Sequence, residues 1–256
     1  MKKIILITLL LLYPFSVFSF DHNHTIYDKL LLKNVKLIEN GIQSKVNYSG
    51  FKQDIKEFRK YLNQLSSVKK KDFNSWSKDR RLAFLINAYN AFTIDLILQN
   101  YPVESIKKIG SFFKSPWKIK FIKFFDTKVS LDDIEHGMIR EKDIYKEPRI
   151  HFAVVCASIG CPAIQNRAFT GKRLESMLER GMTNFLSDHT RNLYNAKENS
   201  FKVSKIFKWY GGDFKTRYGS VANLLNFYGK YIKSKPRTIV TKIYYLDYDW
   251  NLNDTK

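Results

Sequence analysis

The run KDRRLAFLINAYNAFTIDLILQN, residues Lys78–Asn100, decides the fold. Within it Leu82, Leu85, Ile86, Tyr89, Phe92, Thr93, Leu96 and Ile97 recur at intervals of three and four, which on a helix of about 3.6 residues per turn makes one broad apolar stripe. Such a stripe faces a core, and Pro102 ends the helix. Asn87 and Asn90 are neighbours on this helix, and amides in so apolar a setting need partners. They are expected to tie the helix to a loop or strand, with a supporting place in a catalytic site as the other reading.

Working outward, Ile55, Phe58, Leu62 and Leu65 give a second helical pattern, followed by the solvated connector Lys69, Lys70 and Lys71. Leu30, Leu31, Val35, Leu37 and Ile38 suggest a first helix ending near Gly41. On the other side the period changes: over Phe112 to Phe125, Trp117, Ile119 and Phe121 alternate with Lys118 and Lys120, as in a strand with one wet face. Ser130 with Asp133 forms a capping-box pattern for a helix carrying Leu131, Ile134, Met138 and Ile139 inward. Arg149 to Val155 reads as a short β run and Ala157 to Pro162 as a turn. Helices are expected over 174–186 and 221–232, and strands over 201–203 and 239–246. The fold class is therefore α/β or α+β, a single compact domain whose helical front half packs on a small sheet.

Composition narrows the rest. The 256 residues include 44 Lys or Arg against 24 Asp or Glu, a formal charge of +20, while 44% are hydrophobic. That apolar share excludes disorder for most of the chain, and two cysteines exclude both a disulfide scaffold and a four-cysteine zinc site. Lys2 and Lys3 precede an apolar run from Ile4 to Tyr13, with Val17 and Ser19 placed for cleavage, the pattern of a signal peptide over 1–19. No cysteine follows that run, which argues against a lipid anchor. An N-terminal extension over 20–45 and a domain over 46–253 follow, with a periplasmic or secreted location and no transmembrane segment after cleavage. A basic exported chain points to an anionic envelope surface or polymer as partner rather than to nucleic acid. No cofactor and no metal are expected.

The chemistry concentrates in RIHFAVVCASIGCP, Arg149 to Pro162, which holds a histidine and both cysteines. A reactive thiol needs a base to ionise it and a group to orient that base. Cys156 is the expected nucleophile, His151 or His136 the base. On an ideal strand His151 and Cys156 point to opposite faces, so their pairing needs a bend. If Pro162 opens a helix, Cys161 sits at its N-terminus, where a thiolate is favoured. A Cys156–Cys161 disulfide closing a small loop in an oxidising compartment is the competing reading, and two inert thiols a third. Glu135 falls within the apolar arc of its helix, and a carboxylate there needs a partner such as Arg149, His151 or a backbone donor. It is read as a buried ion pair or as the orienter of a catalytic histidine. The stretch KIFKWYGGDF, Lys205 to Phe214, reads as aromatic core packing before Asp213, and Asp247 with Asp249 as solvated strand-end acids.

LAFLINAYNA (82–91), SLDDIEHGMIR (130–140), the 149–162 segment, SKIFKWY (204–210) and YLDYDWNLN (245–253), taken in this order, resemble the family called domain of unknown function 547. The resemblance implies a compact domain found in exported bacterial proteins and assigns no activity. It brings Asn87, Asn90, Glu135, His136, Arg140, His151, Cys156, Ser158, Cys161 and Pro162 into the motif blocks. Together these readings lead to an uncharacterised exported protein acting as a thiol-dependent hydrolase or acyltransferase, with Cys156, His151, His136 and Glu135 catalytic and Asn87, Asn90, Arg140, Ser158 and Cys161 in support. The alternative is a non-catalytic cell-envelope binding domain with a structural disulfide and a basic aromatic surface.

Overall fold

Ser77 starts the central helix by accepting the backbone N–H of Arg80, one of the donors a helix start leaves unpaired. The computed structural model describes residues 20–256 apart from 111–113, 142–143, 235 and 237, so the leader expected over 1–19 lies outside the described residues. The N-terminal helices are α1 (Thr25–Asn34), α2 (Tyr48–Gln53), α3 (Ile55–Ser67) and α4 (Lys70–Ser75), and the central one is α5 (Lys78–Asn100). Every residue of α5 from Leu82 to Leu98 is buried, so the expected stripe is in fact a helix enclosed on all sides. Its length and composition would allow it to cross a bilayer, but 94% of its most apolar window is buried inside the protein. The helix is the core of the fold.

Two apolar runs behave differently from their sequence patterns. The stretch expected as one helix ending near Gly41 breaks after α1 into a hairpin, β1 (Val35–Ile38) antiparallel to β2 (Gln43–Val46). Val35 and Ile38 are β-branched, and Asn40 and Gly41 take the left-handed backbone that turns the chain. The strand expected over Phe112 to Phe125 shrinks to β3 (Ile122–Phe124), paired with β4 (Thr127–Val129), because Pro116 opens a tight helical turn through Lys118. Ile122 and Phe124 face inward and Lys123 outward, one register away from the predicted face. Phe112 lies outside the described residues.

Ser130 caps α6 (Leu131–Ile134) with both arms of the capping box, and the chain then widens into a π-type turn over Glu135–Ile139. The β run expected from Arg149 is a 3-10 turn, Pro148–Phe152. Pro148 supplies the fixed φ of a helix start, and the Glu147 carboxylate accepts from the Arg149 backbone N–H. Next come α7 (Leu174–Ser187), β5 (Asn192–Asn195), β6 (Ser200–Ser204), α8 (Ile206–Trp209), α9 (Gly211–Tyr218), α10 (Val221–Phe227) and β7 (Lys242–Leu246). β6 lies between β5, antiparallel to it, and β7, parallel to it. With its many helices and, among the described residues, three separate small sheets, all but one of whose strand pairs are antiparallel, the fold is α+β.

Two apolar clusters result. One surrounds α5; the other gathers Phe152, Phe185, Phe207 and Phe214. The 3-10 turn joins them, since Ile150 belongs to the first and Phe152 to the second. Arg149 fastens this turn to α7 through Glu175 (2.7 Å) and Glu179 (3.1 Å). Gly181 of α7 makes the approach possible, because a Cβ there would stand 2.8 Å from the Phe152 carbonyl oxygen.

Candidate functional site

The thiol loop is held from two sides. Asn90 Nδ2 donates to the Ala153 carbonyl (2.9 Å) and its Oδ1 accepts the Val155 N–H (3.0 Å), which anchors the chain just before Cys156. Ala157 then takes φ +62°, a left-handed conformation uncommon for a residue with a Cβ, and the chain reverses. On the other side the C-terminal segment clamps the loop: Ile159 N–H to Asn251 O, Gly160 N–H to Asp249 O and Asn253 N–H to Ala157 O, at 2.8, 2.8 and 3.0 Å. Ser158 is buried beside the thiols, its Oγ 3.7 Å from the Cys156 sulfur.

This clamp brings the sulfurs of Cys156 and Cys161 to 2.7 Å, with both thiols free. A disulfide needs about 2.05 Å, so the structural disulfide expected in the alternative reading is not present. The electrostatics also reverse an expectation. Cys156, the expected nucleophile, has its pKa raised by its hydrogen bond to Cys161 and by burial. Burial pushes Cys161 up as well. The Cys156 thiol, the Tyr248 hydroxyl (3.1 Å) and the backbone N–H groups of Ser158 and Cys156 outweigh that and hold Cys161 below its ordinary value. The donors thus converge on the Cys161 sulfur, which accepts from the Cys156 backbone N–H and the Tyr248 hydroxyl, an arrangement that favours a thiolate there. Pro162 opens no helix, so hydrogen-bond donors rather than a helix dipole are the cause.

His151 lies in the 3-10 turn, not on a strand, which removes the opposite-face objection. Its side chain is fully buried and stacks on Tyr210, with ring centres 3.7 Å apart. Its Nε2 is 2.8 Å from Asp213 Oδ2, while its Nδ1 is buried with no hydrogen-bond partner among the described residues. Burial lowers the His151 pKa against the upward pull of Asp213. Asp213, on the first turn of α9, is gripped in addition by Arg140 through Nε (2.7 Å) and Nη2 (3.0 Å). Burial favours the neutral Asp213 carboxyl, but the bonds from His151 and Arg140 hold it far below the usual carboxylate range.

The carboxylate that meets His151 is thus Asp213 rather than Glu135. Glu135 is buried and accepts from the Tyr210 hydroxyl at 2.7 Å, while Arg149, an expected partner, is engaged with Glu147, Glu175 and Glu179. His136 sits at the rim, its Nδ1 accepting from Arg140 Nη1 (2.6 Å) and its Nε2 3.7 Å from Asp132, so its ring faces those groups. Asn87 lies off the site: its amide exchanges two hydrogen bonds with the Phe169 backbone, 2.7 and 3.0 Å. Asp247 pairs with Lys205, and Asp249 caps the Asn251 N–H.

Both cysteines, His151, Glu135 and His136 line one pocket of about 230 Å³. Sequence reasoning missed Asp213, Tyr210 and Tyr248. For Tyr210 and Tyr248 the available signal was their position in the 204–210 and 245–253 blocks, where aromatic residues looked like core; Asp213 lies three residues past the first block. Among the described residues no group of three or more His, Cys, Asp or Glu is arranged to hold a metal ion.

Residues 73–186 match the family described as protein of unknown function, DUF547. The matched span covers α5, His151 and both cysteines and is narrower than the expected 46–253; Tyr210, Asp213 and Tyr248 lie beyond it. No curated protein matches the chain, and no solved structure does.

Proposed function

We propose that this chain, which belongs to the DUF547 family through residues 73–186, is a thiol-dependent acyl-transfer enzyme, a hydrolase or acyltransferase working from the Cys156–Cys161 pair. One observation carries the reading. A buried histidine with one ring nitrogen fixed by a carboxylate and the other unpartnered shares a pocket wall with two free thiols, one of them predisposed to ionise. In this reading Cys161 attacks a substrate carbonyl carbon and its proton passes to His151 Nδ1. The imidazolium, its charge matched by Asp213, returns that proton to the leaving group, and a thioester remains. Water, or an acceptor nucleophile, then gives a proton to Nδ1 as it attacks the thioester, and Cys161 departs as a thiolate reprotonated by the imidazolium. Cys156 and Tyr248 donate to that sulfur and stabilise its anion.

Transfer of the acyl group from an activated ester identifies the residue. Incubation with a p-nitrophenyl ester should release nitrophenolate and leave an acyl adduct on the peptide containing Cys161, and Cys161→Ser, His151→Ala and Asp213→Asn should each slow release. An adduct that forms equally fast in His151→Ala ends this reading. Export would place the thiols in an oxidising compartment, so the assay is run with and without reductant. The second reading, envelope binding, draws on exposed Lys114, Lys118, Lys120 and Lys123, although Phe124 of that segment is in the core. It requires binding to anionic vesicles that weakens as salt shortens the screening length to about 10 Å at 0.1 M.

A further inference from the structure

Three of the four tryptophans in the chain, Trp117, Trp209 and Trp250, line the same pocket, beside Tyr210 and Tyr248. The sequence has 44 Lys and Arg against 24 Asp and Glu, yet among the described residues the carboxylates of Asp132 and Glu135 line this pocket and no Lys or Arg does. A strongly basic protein has concentrated acid and aromatic surface in one cavity. Positive charge farther away than about 8 Å, the Debye length at physiological salt, is largely screened there.

The ring geometry narrows the ligand. Trp117 meets Trp250 edge to face at 5.8 Å, Trp209 is tilted 34° to Trp250 at 5.7 Å, and Tyr248 is tilted 51° to it at 4.5 Å. Rings this close pack on one another and form one aromatic wall of mixed angles; a flat molecule cannot stack on all of it, whereas a compact cation can rest against it, drawn to the electron-rich ring faces. Two rings near the site already carry cations: Lys107 Nζ lies 4.8 Å from the centre of Trp250, and the Arg140 guanidinium 5.2 Å from that of Tyr210. Arg140 is neutralised by Asp213, which leaves Asp132 and Glu135 to supply the charge for a ligand.

We infer that this pocket binds an alkylammonium group. The inference deepens the acyl-transfer reading by naming its substrate class, and rests on that reading only in calling the bound molecule a substrate. The ammonium is held by the tryptophan faces and by Asp132 at the rim, and it sets the carbonyl of the same molecule toward the thiol pair.

The test needs no turnover. Quenching of tryptophan fluorescence in the full chain is titrated with choline against its neutral isostere 3,3-dimethylbutan-1-ol, and with butylammonium against butan-1-ol. At least one ammonium should bind about tenfold or more tightly than its neutral twin, and which one does so distinguishes a methylated from a primary amine. Asp132→Asn keeps shape and is half-exposed, so it should fold and weaken the cation several-fold without affecting the alcohols; Trp250→Leu should weaken it as well. Neutral twins that bind as well as the cations, or a cation affinity unchanged in folded Asp132→Asn, overturn the inference. Ammonium binding by a protein whose thiols ignore acyl donors removes the acyl-transfer reading and leaves this one standing. Thiol turnover without ammonium preference does the reverse.

Discussion

Replacing Asn90 with Leu removes two hydrogen bonds from the most buried helix of the protein. Asn90 is 3% exposed, and the groups it leaves behind are the Ala153 carbonyl and the Val155 N–H. A buried polar group stranded without a partner costs about 1–3 kcal/mol, so two cost about 2–6 kcal/mol. Leu is similar in volume and recovers part of this as apolar burial, about 1–2 kcal/mol at the usual 25 cal/mol per Å². The net expectation is a loss of about 1–4 kcal/mol, a sizeable share of the about 5–15 kcal/mol by which domains are stable. Urea denaturation followed by far-ultraviolet circular dichroism measures it. Asn87→Leu strands the Phe169 N–H and carbonyl in the same way and should cost a similar amount. The two variants should nevertheless part company in a second assay. Asn90 holds the residues leading into Cys156 and Asn87 does not, so iodoacetamide labelling of the thiol pair below the unfolding transition should change in Asn90→Leu alone. An unchanged midpoint in Asn90→Leu refutes the anchor, and equal labelling in both variants refutes its link to the site.

Burial lowers the pKa of His24 to about 3, and its Nδ1 meets the Tyr61 hydroxyl at 2.7 Å. The unfolded chain binds a proton near pH 6.5 that the folded chain refuses, so stability is full above about 6.5 and falls as pH drops towards the folded value; His24→Gln should flatten denaturation midpoints measured between pH 7 and 4. Cys156→Ala removes a donor to the Cys161 sulfur, so the pH inflection for alkylation of Cys161 should move upward, and an unmoved inflection ends the idea of a shared proton. A Cβ at Gly160 would lie 2.9 and 3.0 Å from the backbone of Asp249, so Gly160→Ala should push the C-terminal clamp away at a cost of about 1–3 kcal/mol and speed labelling of both thiols; equal stability and labelling would contradict the clamp.

How much the sequence disclosed depended on where the deciding partner lay. The helix α5 was legible because its evidence is local: apolar residues at helical spacing and Pro102 after it. The two cysteines, five residues apart, were legible as a unit for the same reason. The order of their ionisation was not, because a donor that favours Cys161 is Tyr248, 87 residues along the chain. Asp213 was hidden for a related reason. One acid after WYGG has no periodicity to mark it, and only folding brings it to His151, 62 residues away. Glu135 was rightly seen to need a partner, but a tyrosine hydroxyl leaves no charge signature in a sequence. The 149–155 run failed through a competing local rule: its β-branched content favoured a strand, and Pro148 with Glu147 favoured a helical turn.

The 3-10 turn, wrongly expected as strand, is also what assembles the site. Ile150 is buried in the cluster around α5 and Phe152 in the cluster around Phe185 and Phe207, so His151 is fixed between two cores that meet there. Its carboxylate comes from α9, beside Phe214 of the second cluster, whereas the thiol loop is tied by Asn90 to the first. In the proposed reaction, base and nucleophile are therefore supplied by different cores. A fluctuation that opens the seam would separate His151 and Asp213 from the sulfurs without unfolding α5. The chain resists this with the ion pairs of Arg149 to α7 and with Tyr248, which packs against both clusters and donates to Cys161. That placement accounts for a tyrosine, rather than a smaller donor, at the thiol pair: its ring spans the seam that its hydroxyl must cross to reach the sulfur.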